Sequence, residues 1–155
     1  MAESANRIHS KGPYIREEAV AAEDGIYPGM LLKLDSNGKF AIHDDAGGRA
    51  EALFAEEDAL QGKTVDDAYS AGDTVTAILP GLGSEVRALI ADGNDVSIGD
   101  RLVSNGDGRL KPLSNLDSPG ADVFVIGVAT EACDLTGSNT PATGTLCRIR
   151  ITAGN

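Results

Sequence analysis

The chain has 155 residues, a formal net charge of −11 and a 41% hydrophobic fraction that includes no Trp. That length fits one domain, able to bury roughly 70% of the surface its unfolded form exposes. The negative charge argues against nonspecific nucleic-acid binding and against an anionic membrane surface, because both depend on Lys and Arg meeting phosphate.

Residues 1–20 are polar and show no periodicity, and the Gly12-Pro13 step disfavours helix. Residues 1–16 carry three bases, Arg7, Lys11 and Arg16, against one acid, Glu3. Residues 17–60 carry eleven acids and three bases. The reading is a mildly basic, extended N-terminal arm over 1–20 that orders against something else, ahead of an acidic body over 21–155. Tyr14-Ile15 is its one apolar pair. The first residues hold no apolar run, which predicts neither a secretory signal nor a transmembrane helix.

Glu17 to Glu23 reads as an extended strand or an irregular lead-in. The first hairpin follows, with strands Met30 to Leu34 and Lys39 to His43 around the turn Asp35-Ser36-Asn37-Gly38. Asp44 to Gly48 is a loop. Glu51 to Ala55 is expected to be a buried strand. Glu56 to Gly62 is expected to form one or two helical turns, with acids near the start and Gly at the stop. Asp73 to Pro80 and Glu85 to Ile90 are strands on either side of Gly81-Leu82-Gly83.

Val96 to Leu113 is the clearest unit. Arg101 to Ser104 and Arg109 to Leu113 flank Asn105-Gly106-Asp107-Gly108, and Asn-Gly is among the strongest hairpin signals because both residues tolerate positive φ. Ser114 to Gly120 is a loop. Val123 to Ala129, the longest apolar run, is expected to be a central strand. Asp134 to Gly144 is a polar loop. Leu146 to Thr152 is a closing strand, with Cys147, Ile149 and Ile151 on its inner face and Leu146, Arg148 and Arg150 on the wet one. Nineteen Gly, six Pro and this run of hairpins predict an all-β fold: a small β-barrel or β-tulip-like domain of short hairpins, with one short helix and a flexible N-terminal arm.

No stretch carries a catalytic signature, and the expectation is a non-enzymatic protein without cofactor. His43-Asp44-Asp45 is the one His/acid cluster and reads as an exposed loop trio. His9 reads as a solvated tail residue. Asp35 to Gly38 and Asp92 to Asp95 resemble fragments of calcium loops but lack the fixed Gly and the terminal Glu, so they read as turns. Gly81-Leu82-Gly83-Ser84 has no following Lys or helix to cradle phosphate, and Ser84 sits in no nucleophile elbow. Glu56, Glu57 and Asp58 read as a solvated helical face. Cys133 and Cys147 show no CxxC or Cys/His spacing for zinc and read as two buried free thiols, although paired strands could set them opposite each other. No metal is expected.

Several stretches together are similar to capsid decoration (cement) proteins of tailed bacteriophages. They are the basic arm, Ile26-Tyr27-Pro28-Gly29-Met30-Leu31-Leu32, Leu53-Phe54-Ala55-Glu56-Glu57-Asp58, Tyr69-Ser70-Ala71-Gly72-Asp73-Thr74-Val75 and Val96-Ser97-Ile98-Gly99-Asp100-Arg101-Leu102. The resemblance spans roughly residues 15–130, and the loop Asp134 to Gly144 departs from it. It implies a structural virion protein, made in the host cytoplasm. Such a protein binds the outer surface of the expanded capsid as a homotrimer at three-fold positions and stabilises it against internal DNA pressure. The implied partners are the major capsid protein and further copies of the chain, with no nucleic acid and no membrane. The implied contact residues are Arg7, Lys11, Tyr14, Ile15 and Arg16. On this reading, deletion of residues 1–16 leaves the domain folded and abolishes capsid binding. A receptor- or glycan-binding module of a phage fibre or surface protein is the alternative, against which the 4% aromatic content counts. An enzyme of a β-clip type is a third reading and would need a clustered site.

Overall fold

Turns rich in Gly, Asn and Asp reverse the chain every few residues, so the strands are short. A computed structural model describes residues 7–117 and 122–152. Residues 1–6 of the expected arm and 118–120 of the expected loop lie outside the described residues. The strands are β1 (His9–Lys11), β2 (Tyr14–Val20), β3 (Leu32–Leu34), β4 (Phe40–Ile42), β5 (Phe54–Ala55), β6 (Thr74–Pro80), β7 (Glu85–Ile90), β8 (Asp95–Val96), β9 (Arg101–Ser104), β10 (Leu110–Pro112), β11 (Gly127–Ala129), β12 (Cys133–Asp134) and β13 (Thr145–Ile151). Two single 3-10 turns, Ala59–Gln61 and Leu113–Asn115, interrupt them. No helix among the described residues is long and apolar enough to cross a membrane.

Five strands close into a small barrel in the order β7-β10-β9-β11-β13, and β13 pairs back onto β7. All of these pairings are antiparallel except β7–β10, where Leu110 faces Ile90 in parallel register. The second edge of β7 is shared, because β1 occupies its Glu85–Val86 end and β10 its Ile90 end. The fold is thus all-β, as the composition predicts.

Beside the barrel lie the three-stranded sheet β2-β6-β5 and the hairpin β3–β4. Successive side chains on a strand point to opposite faces. Ile78 and Phe54 therefore join the barrel core with Leu102, Leu110, Ile126 and Ile149. Their neighbours Ala77 and Ala55 join a second core with Ile26, Leu32, Phe40 and Tyr69. The short β5–β6 ladder is the wall between the two cores.

The N-terminal segment differs from the expectation of an arm without a partner in its own body. Residues 9–11 and 14–20 are extended, but as strands of this chain: β1 pairs with β7, and all seven residues of β2 pair with β6, from Tyr14 opposite Pro80 to Val20 opposite Thr74. The reason is Ile8, which is 0% exposed inside the barrel core and fixes everything after it. Arg87 N–H donates to the Ile8 carbonyl at 2.8 Å, and Ile8 N–H donates to Glu57 Oε2 at 3.0 Å. Within this segment Ile8 supplies part of the core, so a deletion that removes it is expected to cost stability as well as contact.

Three local expectations are corrected as well. The helical stretch after Ala55 is one 3-10 turn, closed by Gly62 at φ 72°. The apolar run from Val123 to Ala129 is a ladder strand only from Gly127 on, and it is central there, between β9 and β13. Before it, single hydrogen bonds tie Phe124 to Gly47 and Ile126 to Leu102. The third correction is His43, which is buried between Ser104 Oγ, 2.8 Å from Nδ1, and the Arg49 carbonyl, 3.0 Å from Nε2. A carbonyl only accepts, so Nε2 carries the proton it donates there. Asp44 turns outward to Lys33 at 2.7 Å, so no His/acid trio converges.

Candidate interaction surface

The chain reaches its exposed edge through one bend. After β1, Gly12 takes φ 93°, and a Cβ there would run into Ser84. Ser84 Oγ and Gly81 N–H both donate to the Pro13 carbonyl, at 2.9 and 3.0 Å. The bend is thus pinned to the β6–β7 turn, and β2 is delivered along the outer side of β6.

β2 ends its sheet. No strand among the described residues covers its other side. Ala21 N–H donates to the Asp73 carbonyl at 2.7 Å, and the register continues without a break to Tyr14 opposite Pro80. Antiparallel pairs alternate between hydrogen-bonded and non-bonded. The inward-bonding residues of β2 are therefore Ile15, Glu17 and Ala19, and the N–H and C=O groups of Tyr14, Arg16 and Glu18 point outward. Pro80 agrees with this phase, since it has no N–H to give Tyr14. At the far end, the bridge between Ala21 and Phe40 closes the edge.

The side chains on this edge are mixed. Tyr14, Ile15 and Val20 are exposed, Ile15 at 64%. Leu82, at the tip of the turn that follows Pro80, is 72% exposed and extends the apolar end. Charges at Arg16, Glu17 and Glu18 occupy the middle, a common means of keeping an open edge from pairing at random.

The five residues singled out by resemblance divide into two groups. Tyr14 and Ile15 sit on the open edge, and Arg7 is exposed just before Ile8. Lys11 and Arg16 each hold a buried carboxylate of the body. Lys11 Nζ lies 2.7 Å from Glu85 Oε2, and the Glu85 side chain is 4% exposed. That contact is close but lacks hydrogen-bond alignment, so Oε2 has no aligned donor. Arg148 Nε flanks the other oxygen at 3.6 Å. Arg16 Nε donates to Glu56 Oε1 at 3.0 Å, and its guanidinium lies over the Tyr14 ring, 5.6 Å from the centroid. The hydrogen bond and charge of Glu56 raise the Arg16 pKa above its ordinary value. His9 packs on Tyr14 with ring centroids 4.4 Å apart, and its Nε2 bonds the Gly12 carbonyl, so it is not the solvated tail residue expected.

Sequence reasoning missed Glu56 as a partner. It reads as a helical surface acid, yet it is buried, and its carbonyl accepts from Tyr69 Oη at 2.6 Å. Glu57 is likewise engaged, by Ile8. The two turn motifs are turns: Asp35 Oδ1 accepts from the N–H groups of Asn37 and Lys39, and buried Asn94 donates to the Ala91 carbonyl. The cysteines do come together: Cys147 is buried, Cys133 is half-buried, and Glu131 joins them.

No family model matches the chain, and no curated protein matches its sequence. Among solved structures, the chain is similar in fold to the N base of the head fibre protein gp8.5 of bacteriophage phi29. That likeness has a TM-score of 0.54 at 18% identity, over 90% of this chain and 95% of the other. It is a likeness of fold.

Proposed function

We propose that this protein is a structural component of a phage virion that docks on the capsid, with the open edge of β2 as its contact. The observation that carries the reading is the fold shared over 90% of the chain with the base of a phage head fibre. The surface supports it. Outward N–H and C=O groups at Tyr14, Arg16 and Glu18 can take a partner strand, which is β-augmentation, and Tyr14, Ile15 and Leu82 add apolar contact at one end. The acidic body, turned to solvent, would keep a densely covered shell soluble.

The finer reading is a cement role. The protein binds the outside of the expanded capsid as a homotrimer, has the major capsid protein as its partner, and performs no catalysis. Three linked edges raise effective concentration, so weak contacts add up to firm attachment. Preference for the expanded lattice would stabilise that state by mass action. Light scattering on the purified chain tests the trimer. Co-sedimentation with expanded shells of the cognate capsid protein tests docking, and Ile15→Asp should abolish it while the circular-dichroism spectrum stays unchanged. Full occupancy by Ile15→Asp would remove the edge from the account. The fibre origin of the structural neighbour favours one second reading, a receptor- or glycan-binding fibre module. Hits on a glycan array with no capsid binding would select it.

A further inference from the structure

We propose that Glu131, Cys133 and Cys147 form a binding site for one thiophilic divalent cation, Zn2+ above all. One carboxylate oxygen and the two Sγ atoms lie within 4.8 Å of one another. Tetrahedral zinc, with bonds near 2.3 Å to sulfur and 2.1 Å to oxygen, sets neighbouring ligand atoms about 3.6–3.8 Å apart. The 4.8 Å limit on the trio is about 1 Å wider than that, so the ligands draw in as the ion binds.

The scaffold holds each ligand from a different direction. Beyond β11, Thr130 N–H donates to the Arg148 carbonyl at 2.9 Å, which extends the ladder with β13 by one step. Arg148 N–H then donates to Glu131 Oε1 at 2.7 Å. This bond fixes the carboxylate in place, the kind of outer support that metal ligands use. Cys147 comes from β13 and is buried, with Sγ 3.5 Å from the Glu131 carbonyl. Cys133 opens β12, held by its pairing with Val96 of β8.

Two of the three, Glu131 and Cys133, line a cleft of about 990 Å³ whose walls include Tyr27, Arg87, Leu89 and Arg148, with buried Cys147 behind them. The cleft gives an ion a way in past half-buried Cys133. It also gives a fourth position to water or to an outside ligand, the open coordination that separates such sites from closed structural ones. Binding releases the thiol protons, so two thiolates and a carboxylate carry three negative charges against the two of the ion. Arg87 and Arg148, on the same cleft, offset the remainder. A disulfide would join the two sulfurs but has no use for a fixed carboxylate beside them, which is why a cation is the favoured occupant.

The test uses the full chain, reduced and then freed of reductant and metal, with Co2+ as the spectroscopic probe and Zn2+ as the competitor. The expected result is one ion per chain, a thiolate-to-cobalt charge-transfer band erased by Zn2+, and a higher melting temperature with Zn2+. Cys133→Ser, at the half-exposed position, should lose the band. Glu131→Gln should keep both thiolates and the band while weakening Zn2+ by at least about tenfold. A cobalt spectrum without the thiolate band would overturn the proposal. So would a reduced chain that binds no Zn2+ and instead forms a 133–147 disulfide in air. The readout needs only the free chain, so it stands or falls separately from capsid docking.

Discussion

Glu85 and Tyr69 show how single side chains tie the surface to the interior. Glu85 is a buried acid flanked by Lys11 from the N-terminal segment and by Arg148 from β13. Lys11→Ala leaves Arg148 alone at 3.6 Å, and a buried acceptor stripped of its partner costs about 1–3 kcal/mol. Urea unfolding of that variant should show the loss, and Lys11→Arg should recover most of it. Tyr69 offers a titration. Burial pushes its hydroxyl up to about 12. The folded state therefore favours the neutral form, and this contribution is complete below roughly pH 10, the ordinary value. It falls as the pH rises towards 12, because the unfolded chain ionises first. Tyr69→Phe gives up the bond to the Glu56 carbonyl, so it should be the less stable protein at neutral pH. Its deficit should shrink through that alkaline window, and a constant deficit would contradict the assignment.

At the scale of elements, the open edge makes the sharpest claim. The N–H of Glu18 points outward, while Glu17 and Ala19 bond β6. Glu18→Pro thus removes a donor from the edge without removing one from the ladder. Melting temperature should fall by only a few degrees, and strand addition should be lost. A collapse of the fold would mean that the bonding phase of β2 is the opposite one. The hairpins β3–β4 and β9–β10 are legible in the sequence because Asn-Gly and Asp-Gly impose positive φ where the chain must reverse. The alternation of β13 is legible too, since Cys147, Ile149 and Ile151 are all buried. The pairing of β2 is not legible. Three of its seven residues are charged and break the apolar alternation, and its partner begins at Thr74, far along the chain, so nothing local predicts it. Glu131 beside the two cysteines escapes for the same reason, because the segments that carry them meet only in the folded chain.

At the scale of the whole molecule, two cores share the β5–β6 wall, and the N-terminal segment plugs one of them with Ile8. Truncating such a fully buried Ile to Ala costs about 2–5 kcal/mol. Ile8→Ala should lower stability by that order, and deletion of residues 1–16 should lower it further, as thermal unfolding would report. Loss of binding on deletion would therefore mix unfolding with loss of contact, and single changes on the edge are the cleaner probe.

The central claim is that the outer side of β2 receives a strand from the capsid. Cryo-microscopy of expanded shells of the cognate capsid protein saturated with the wild-type chain, with co-sedimentation of Glu18→Pro alongside, tests it most directly. The account predicts density for a capsid segment paired along Tyr14 to Glu18, and no pelleting of the folded variant. A docked protein whose β2 faces bare solvent, or full pelleting of Glu18→Pro, would contradict it.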